Sequence, residues 1–393
     1  MRTQSDTVSS IRPAPPGVYR TALAGQIALA AALGIGRFVY TPILPFMADA
    51  LGLDRSGAGV LASANFLGYL IGALCAALPH LPGSRRRWLL GSLAVSAITT
   101  AAMAAGHSLL GFIILRWIGG VASALVLVFA SAMVLDHPAG PHRALASALH
   151  FAGVGIGIAV SAVLVAVLAR AGQPWQIFWL GSGALSLFAT LGVAGLIRGE
   201  RAPRVPLGST SREIIDPAFY RLVAAYGLFG FGYVITATFL VSLLRAAPAV
   251  RPLELVVWVV FGLAAAPSVA AWTWMANRCG TSVAFALACL AEAAGVLASV
   301  TWLAAIGVLL SASLVGGTFM GLTALGLALA RVLATGDPRR VLALMTGSFG
   351  LGQIVGPTFA GVVADRVGSL TAPSTAAGFA LLVAAALVLS PRR

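Results

Sequence analysis

Ala32-Leu33-Gly34-Ile35-Gly36-Arg37-Phe38-Val39-Tyr40-Thr41-Pro42 lies inside an apolar run from about Thr21 to Met47. A run of that length can cross a bilayer as a helix. An arginine near the middle of such a helix costs about 2.5–3.5 kcal/mol on insertion scales. Arg37 is therefore expected to face protein or water, at an interior and not at lipid. Gly34 and Gly36 remove side chains beside it, which lets a neighbouring backbone or a ligand come close.

The pattern returns in Leu228-Phe229-Gly230-Phe231-Gly232-Tyr233, where Gly230 and Gly232 stand 196 residues after Gly34 and Gly36 and Tyr233 takes the place of Arg37. Gly119-Gly120 maps onto Gly316-Gly317, and Gly153-Val154-Gly155 onto Gly350-Leu351-Gly352, both at an offset of 197. Three ordered matches at half the chain length read as a duplicated half.

The 393 residues are 59% hydrophobic and only 9% charged, against about 25% charged in soluble domains. This is the composition of a polytopic membrane protein. All 25 basic residues are arginine, a usage we read as GC-rich coding and hence bacterial. The net charge of +14 implies no nucleic-acid partner, because the placement of the arginines accounts for it. Cys75, Cys279 and Cys289 fall in or at the end of apolar runs, so neither a disulfide nor a metal site is expected. No cofactor is implied: no metal-ligand cluster, catalytic triad or phosphate-binding loop stands out, and Gly34-Ile35-Gly36 and Gly153-Val154-Gly155 sit inside apolar spans.

Twelve apolar runs can be marked, at about 21–47, 57–79, 88–106, 108–135, 144–169, 175–197, 219–244, 253–275, 281–301, 302–329, 341–363 and 372–390. The reading is an all-α membrane protein of twelve transmembrane helices in two six-helix bundles. A polar tail covers 1–20, the first bundle 21–197, a linker 198–218 and the second bundle 219–393. With the N-terminus placed in the cytoplasm, 18 of the 25 arginines fall on the cytoplasmic face and 5 on the other, while Arg37 and Arg116 lie within spans. That asymmetry puts both termini in the cytoplasm of a bacterial inner membrane.

Polar residues recur on single faces of spans 1, 4, 7 and 10. Gln26 and Arg37, eleven residues or three helical turns apart, share a face of span 1 with Thr41 one turn further, and Arg116, Gly120 and Ser123 share one of span 4. Tyr226 and Tyr233 do so in span 7, as do Ser311 and Thr318 in span 10. The expectation is a central cavity lined by Gln26, Arg37, Thr41, Arg116, Ser123, Tyr226, Tyr233 and Thr318. Coupling candidates are Arg116, the carboxylate Glu292 deep in span 9, and His150. Gly34, Gly36, Asn65, Gly230, Gly232, Gln353, Gly356 and Pro357 read as gating or helix-packing residues. Phe319 and Trp258 read as packing, and Asp49, Asp136 and Asp365 as solvated residues near span ends.

Over nearly its whole length the chain resembles a major facilitator superfamily transporter. Gly34-Ile35-Gly36-Arg37-Phe38-Val39-Tyr40-Thr41-Pro42, Gly230-Phe231-Gly232-Tyr233 and Gly352-Gln353-Ile354-Val355-Gly356-Pro357 resemble its YbfB/YjiJ-like branch. Arg116-Trp117-Ile118-Gly119-Gly120 is similar to the superfamily's span-4 motif, whose arginine is linked to proton coupling in proton-coupled members. The loop between spans 2 and 3 departs from the usual Gly-x-x-x-Asp-Arg-x-Gly: Gly83-Ser84-Arg85-Arg86-Arg87 keeps the charge without the Asp. Gly157-Ile158-Ala159-Val160 lacks the Gly-Pro element that ends span 5 in drug/proton antiporters, and Gly356-Pro357 stands in span 11 instead. Asp365-Arg366-Val367-Gly368 resembles the loop motif but falls on the opposite face, and reads as chance.

The resemblance implies a secondary transporter, not an enzyme, in which two bundles rock about a midplane site. The two intramembrane arginines favour a small organic anion or zwitterion as substrate, since an anionic group offsets part of their burial cost. A proton-linked exporter of amphipathic compounds, using Arg116 and Glu292, is the alternative. A membrane sensor or scaffold is a third reading, but 1–19 and 198–218 are too short to be an output domain. The expected partners are a small-molecule substrate, protons and the lipid bilayer, with the protein acting as a monomer.

Overall fold

A computed structural model describes residues 17–78, 83–135, 141–197, 214–215, 217–335 and 338–390. Residues 1–16 of the tail, 198–213 of the linker and Asp136 lie outside the described residues. Eleven described helices are long and apolar enough to cross a membrane. They are Val18–Leu51, Arg55–Ala76, Arg85–Ala105, Leu109–Leu135, Ala144–Arg170, Trp175–Leu196, Pro217–Ala246, Thr281–Thr301, Ala305–Leu333, Arg340–Val367 and Thr371–Leu389. A pair bent by 46°, Val256–Ala265 with Ser268–Cys279, supplies the remaining crossing and is span 8 of twelve. The bend falls at Pro267, which has no N–H to continue the ladder. Ile214–Ile215 pairs antiparallel with Ala334–Thr335, the one strand pairing among the described residues.

The two halves pack alike. In the first, span 1 lies against spans 5 and 6, span 4 between spans 2 and 3, and span 3 against span 6. In the second, span 7 lies against 11 and 12, span 10 between 8 and 9, and span 9 against 12. Between halves, span 2 packs on span 11 and span 5 on span 8, and these contacts exchange when the halves are swapped. The arrangement is two six-helix bundles related by a pseudo-two-fold axis.

Contacts fix the register of the repeat. Gly120 packs on the Asn65 carbonyl and Gly316 on that of Phe261, so the offset is 196 for both partners, one less than glycine matching gave. Gly155 crosses to Ala266 of span 8, and Gly350 crosses to Leu70 of span 2. That pairs 155 with 350 at an offset of 195, whereas sequence matching paired Gly153 with Gly350. The Gly-x-Gly-x-Gly run from Gly153 to Gly157 fits either register as sequence, and only the packing chooses. Gly157 seats on the Ala30 carbonyl and Gly352 on that of Gly227, an offset of 197 for the first half of span 1. After the π-helical turn Ala30–Ile35 the offset drops to 196, because i→i+5 bonding takes up one extra residue. Thr41 and Ala237, matched at 196, touch: Thr41 Oγ1 donates to the Ala237 carbonyl at 2.6 Å. Equivalent residues in contact mark where the pseudo-two-fold axis passes.

Span 12 behaves as its composition requires. Phe379, Leu382 and Leu389 are exposed to the lipid side, while Ala377 and Leu381 pack against Gly232 of span 7.

Candidate functional site

The centre is organised by the break in span 1. After the π turn, residues 36–39 leave the helix before it resumes over Tyr40–Leu51. Pro42 has no N–H, so the Phe38 carbonyl takes the Thr41 N–H instead, at 3.3 Å. The Arg37 carbonyl thereby loses its usual donor. Arg116 of span 4 replaces it, with Nη2 donating to the Arg37 carbonyl at 3.3 Å and Nη1 to that of Gly36 at 3.4 Å. Irregular backbone at membrane depth needs such a partner, since no water is there to supply one. Asn65 holds span 4 in turn, donating from Nδ2 to the Arg116 carbonyl at 2.8 Å. The Tyr40 ring lies under the Arg116 guanidinium at 4.7 Å. Arg116 is thus occupied in holding the break.

Arg37 is in a different position. Its guanidinium sits on the faces of Tyr69 and Phe66 of span 2, at 4.3 and 4.4 Å, with Phe38 at 5.5 Å. It is only 4% exposed, and Nε and Nη2 have no hydrogen-bond acceptor among the described residues. Across from it stands a stack of rings: Tyr233 is 5.5 Å from Phe319 and 6.0 Å from Phe349, with Tyr226 and Phe229 continuing the layer on Phe349. Gln353 donates from Nε2 to the Tyr233 hydroxyl, and its Oε1 has no partner among the described residues. Glu292 is fully buried, and neither carboxyl oxygen has a donor among the described residues. Thr318 lies beside it, but its hydroxyl donates to the Leu314 and Val315 carbonyls of its own helix, at 2.7 and 3.2 Å.

Several expected lining residues have their polar groups engaged within or between helices. A straight span 1 would align Gln26, Arg37 and Thr41. The π turn between Gln26 and Arg37 shifts that register by one residue; the Gln26 backbone seats Gly153, and Thr41 Oγ1 reaches span 7. Ser123 donates to the Gly120 carbonyl of its own helix at 2.8 Å, and Tyr226 to the Thr323 carbonyl at 3.2 Å. His150 is buried away from this cluster, against Gly25, with Nε2 2.9 Å from Ser131 Oγ. Gly34 meets the backbone of Gly157, Gly36 meets Ser96, Gly230 meets Phe349, and Gly356 meets Val234. Pro357 presents its carbonyl to Gly59 of span 2. Trp258 packs on Phe261 at 4.4 Å and Phe319 on Phe38 at 5.8 Å. Phe66 and Tyr69, one turn apart on span 2, were not among the expected site residues; an aromatic pair at helical spacing facing an intramembrane arginine was the available signal.

The ties between halves gather on the face that carries residues 49–56. Arg245 of span 7 pairs with Asp49 at 3.2 Å and covers the Phe46 ring at 4.0 Å. Asp365 of span 11 accepts the Ser56 and Arg55 amides at 2.8 and 3.3 Å, and Arg55 Nη1 donates to the Ala364 carbonyl at 3.1 Å. Ser63 joins in, donating to the Ile354 carbonyl at 2.6 Å and accepting from Thr358 at 2.8 Å. Asp49 and Asp365 are exposed near span ends, as expected from sequence, and in addition each ties one half to the other. On the opposite face the hydrogen bonds of Arg20 and Arg86, to span-6 carbonyls, stay within one half.

Two pseudo-symmetric six-helix bundles around a buried polar and aromatic centre define a transporter of the major facilitator type. The family model described as the uncharacterised MFS-type transporter YbfB matches residues 29–389, and the chain belongs to that family. It is also 34% identical to the Escherichia coli K12 3-(3-hydroxy-phenyl)propionate transporter over 137 residues, about a third of each chain. The fold is similar to that of a bacterial homologue of the human lysosomal transporter Spinster, solved inward-facing and unoccupied (TM-score 0.68, 15% identity, 96% of this chain and 95% of that one). It is likewise similar to the nucleoside transporter NupG (TM-score 0.71, 14% identity, 94% and 97% covered).

Proposed function

We propose that this secondary transporter carries a small organic carboxylate bearing an aromatic ring. The observation that carries the reading is the buried Arg37 guanidinium with unspent N–H groups, set among Phe66, Tyr69 and the Tyr233 stack. A carboxylate would complete its hydrogen bonding, and a ring would stack on the aromatic walls. The relative named for 3-(3-hydroxy-phenyl)propionate transports a compound with both groups, which supports the same class. The arginine asymmetry supports an orientation with both termini in the bacterial cytoplasm. In that orientation the gate of Asp49, Arg245 and Asp365 is the outer one, and it is closed. Rocking of the bundles would expose the Arg37 site to each side in turn.

The test is uptake of labelled 3-(3-hydroxyphenyl)propionate by proteoliposomes, competed with small aromatic carboxylates and with the alcohols that replace their carboxylate. Competition by carboxylates alone supports the reading. Equal competition by the alcohols, or none by any aromatic acid, rejects it.

Glu292 favours a second element, proton coupling. A carboxyl buried without cation or donor among the described residues is suited to carry a proton instead of a charge. Glu292→Gln would then leave substrate exchange intact and abolish accumulation driven by a proton gradient. Unchanged gradient-driven accumulation would exclude the role.

A further inference from the structure

Spans 3 and 4 pack on each other but leave a depression along their seam. They leave a groove of about 710 Å³ lined by Arg87, Gly91 and Val95 of span 3 and by Ile118, Val121 and Leu125 of span 4. Arg87, Gly91 and Val95 are four residues apart and form one stripe. Gly91 is unlike the glycines that seat helices here: a Cβ added to it would meet nothing within 4 Å. Its missing side chain keeps the groove open. Val95 is exposed, so the groove opens sideways into the apolar belt of the protein.

One end is charged. Of the arginine run at the start of span 3, Arg86 is committed to the Ala194 and Ile197 carbonyls of span 6, at 3.2 and 3.1 Å. Arg87 is exposed and stands at the end of the groove, whose lining contains no acidic residue among the described residues. Trp88 closes the same end, stacked on Phe129 at 6.0 Å.

We infer that this groove is a binding site for an anionic phospholipid, with its phosphate on Arg87 and an acyl chain along Gly91, Val95 and Leu125. Apolar length with cationic charge at one end only is complementary to that molecule. A peptide helix is a poorer fit, because beyond Arg87 the lining offers its polar side chains little besides Ser92. The site is independent of the substrate reading.

The experiment is native mass spectrometry of the purified transporter titrated with dioleoyl phosphatidylglycerol or dioleoyl phosphatidylcholine, for wild type, Arg87→Gln and Gly91→Leu. Thermal midpoints in plain detergent establish that the variants fold. Wild type should retain one phosphatidylglycerol in preference to phosphatidylcholine. Arg87→Gln should bind it roughly fivefold more weakly, the effect of one arginine at a membrane surface. Gly91→Leu fills the groove and should abolish the retained lipid. Equal retention of both lipids, or of phosphatidylglycerol by all three proteins, overturns the site. Loss in Arg87→Gln with full retention in Gly91→Leu also overturns it, since binding would then be surface electrostatics without the groove.

Discussion

The Asp365 carboxylate of span 11 accepts the Ser56 amide of span 2 at 2.8 Å, so one bundle caps a helix of the other. Asp365 takes the Arg55 and Ser56 N–H groups, the Asp54 side chain takes Gly57, and the Asp54 carbonyl takes Ala58. A helix leaves four amides unpaired at its N-terminus, and here two of them are paid only when the gate is shut.

Asp365→Ala should therefore loosen the gate without unfolding either bundle. Losing a cap of this kind costs about 0.5–2 kcal/mol, or roughly 2- to 30-fold in the closed-to-open ratio. Spin labels at Ala50 and Ala249, both exposed and on opposite bundles at this face, report the change. A longer-distance population should grow in the variant. An unchanged distance distribution would show that the cap does not bias the equilibrium.

Thr41→Val probes the same equilibrium at the axis. It removes the hydrogen bond to the Ala237 carbonyl and keeps the side-chain shape. A net loss of about 0.5–1.5 kcal/mol is expected, and with Asp365→Ala the effects should add, the two contacts sharing no partner. The same label pair measures both. Strong non-additivity would mean that the ties form one coupled unit.

Arg116→Gln should behave unlike any substitution at Arg37. It leaves the Gly36 and Arg37 carbonyls of the break without their donor, at a cost of about 1–3 kcal/mol for buried unpaired groups. Lower yield and a lower thermal midpoint are expected even with no ligand present. A wild-type midpoint with lost transport would instead assign Arg116 to coupling or substrate.

How much of this was legible in the sequence follows from what kind of signal each feature leaves. Arg37 declared itself because an arginine inside an apolar run has few explanations. The twelve spans and the duplication followed from hydropathy and glycine spacing, to within a residue or two of register. That residue mattered: the π turn in span 1 shifts the offset from 197 to 196, and no propensity marks where such a turn falls. The break could be suspected from Pro42, but the partner of the freed carbonyl is Arg116, 79 residues away. The partners of Asp365 lie about 310 residues away, so as sequence it looked like any acid near a span end. The shared face of Gln26 and Arg37 assumed a regular α-helix, and the π turn between them shifts that register by one residue.

The central claim is that Arg37 binds a substrate carboxylate, and calorimetric titration of 3-(3-hydroxyphenyl)propionate into purified Arg37→Gln and Arg37→Lys tests it most directly. A charge-assisted hydrogen bond is worth about 1.5–3 kcal/mol, so the glutamine variant should bind roughly 10- to 150-fold more weakly than wild type. Lysine keeps the charge without the planar fork and should fall between. Both variants should stay folded without ligand; Arg37→Gln should lower the thermal midpoint by no more than its contacts with Phe66 and Tyr69 are worth, about 0.5–2 kcal/mol, and Arg37→Lys by less. Wild-type affinity in Arg37→Gln, with the protein folded and the substrate bound, would contradict the account.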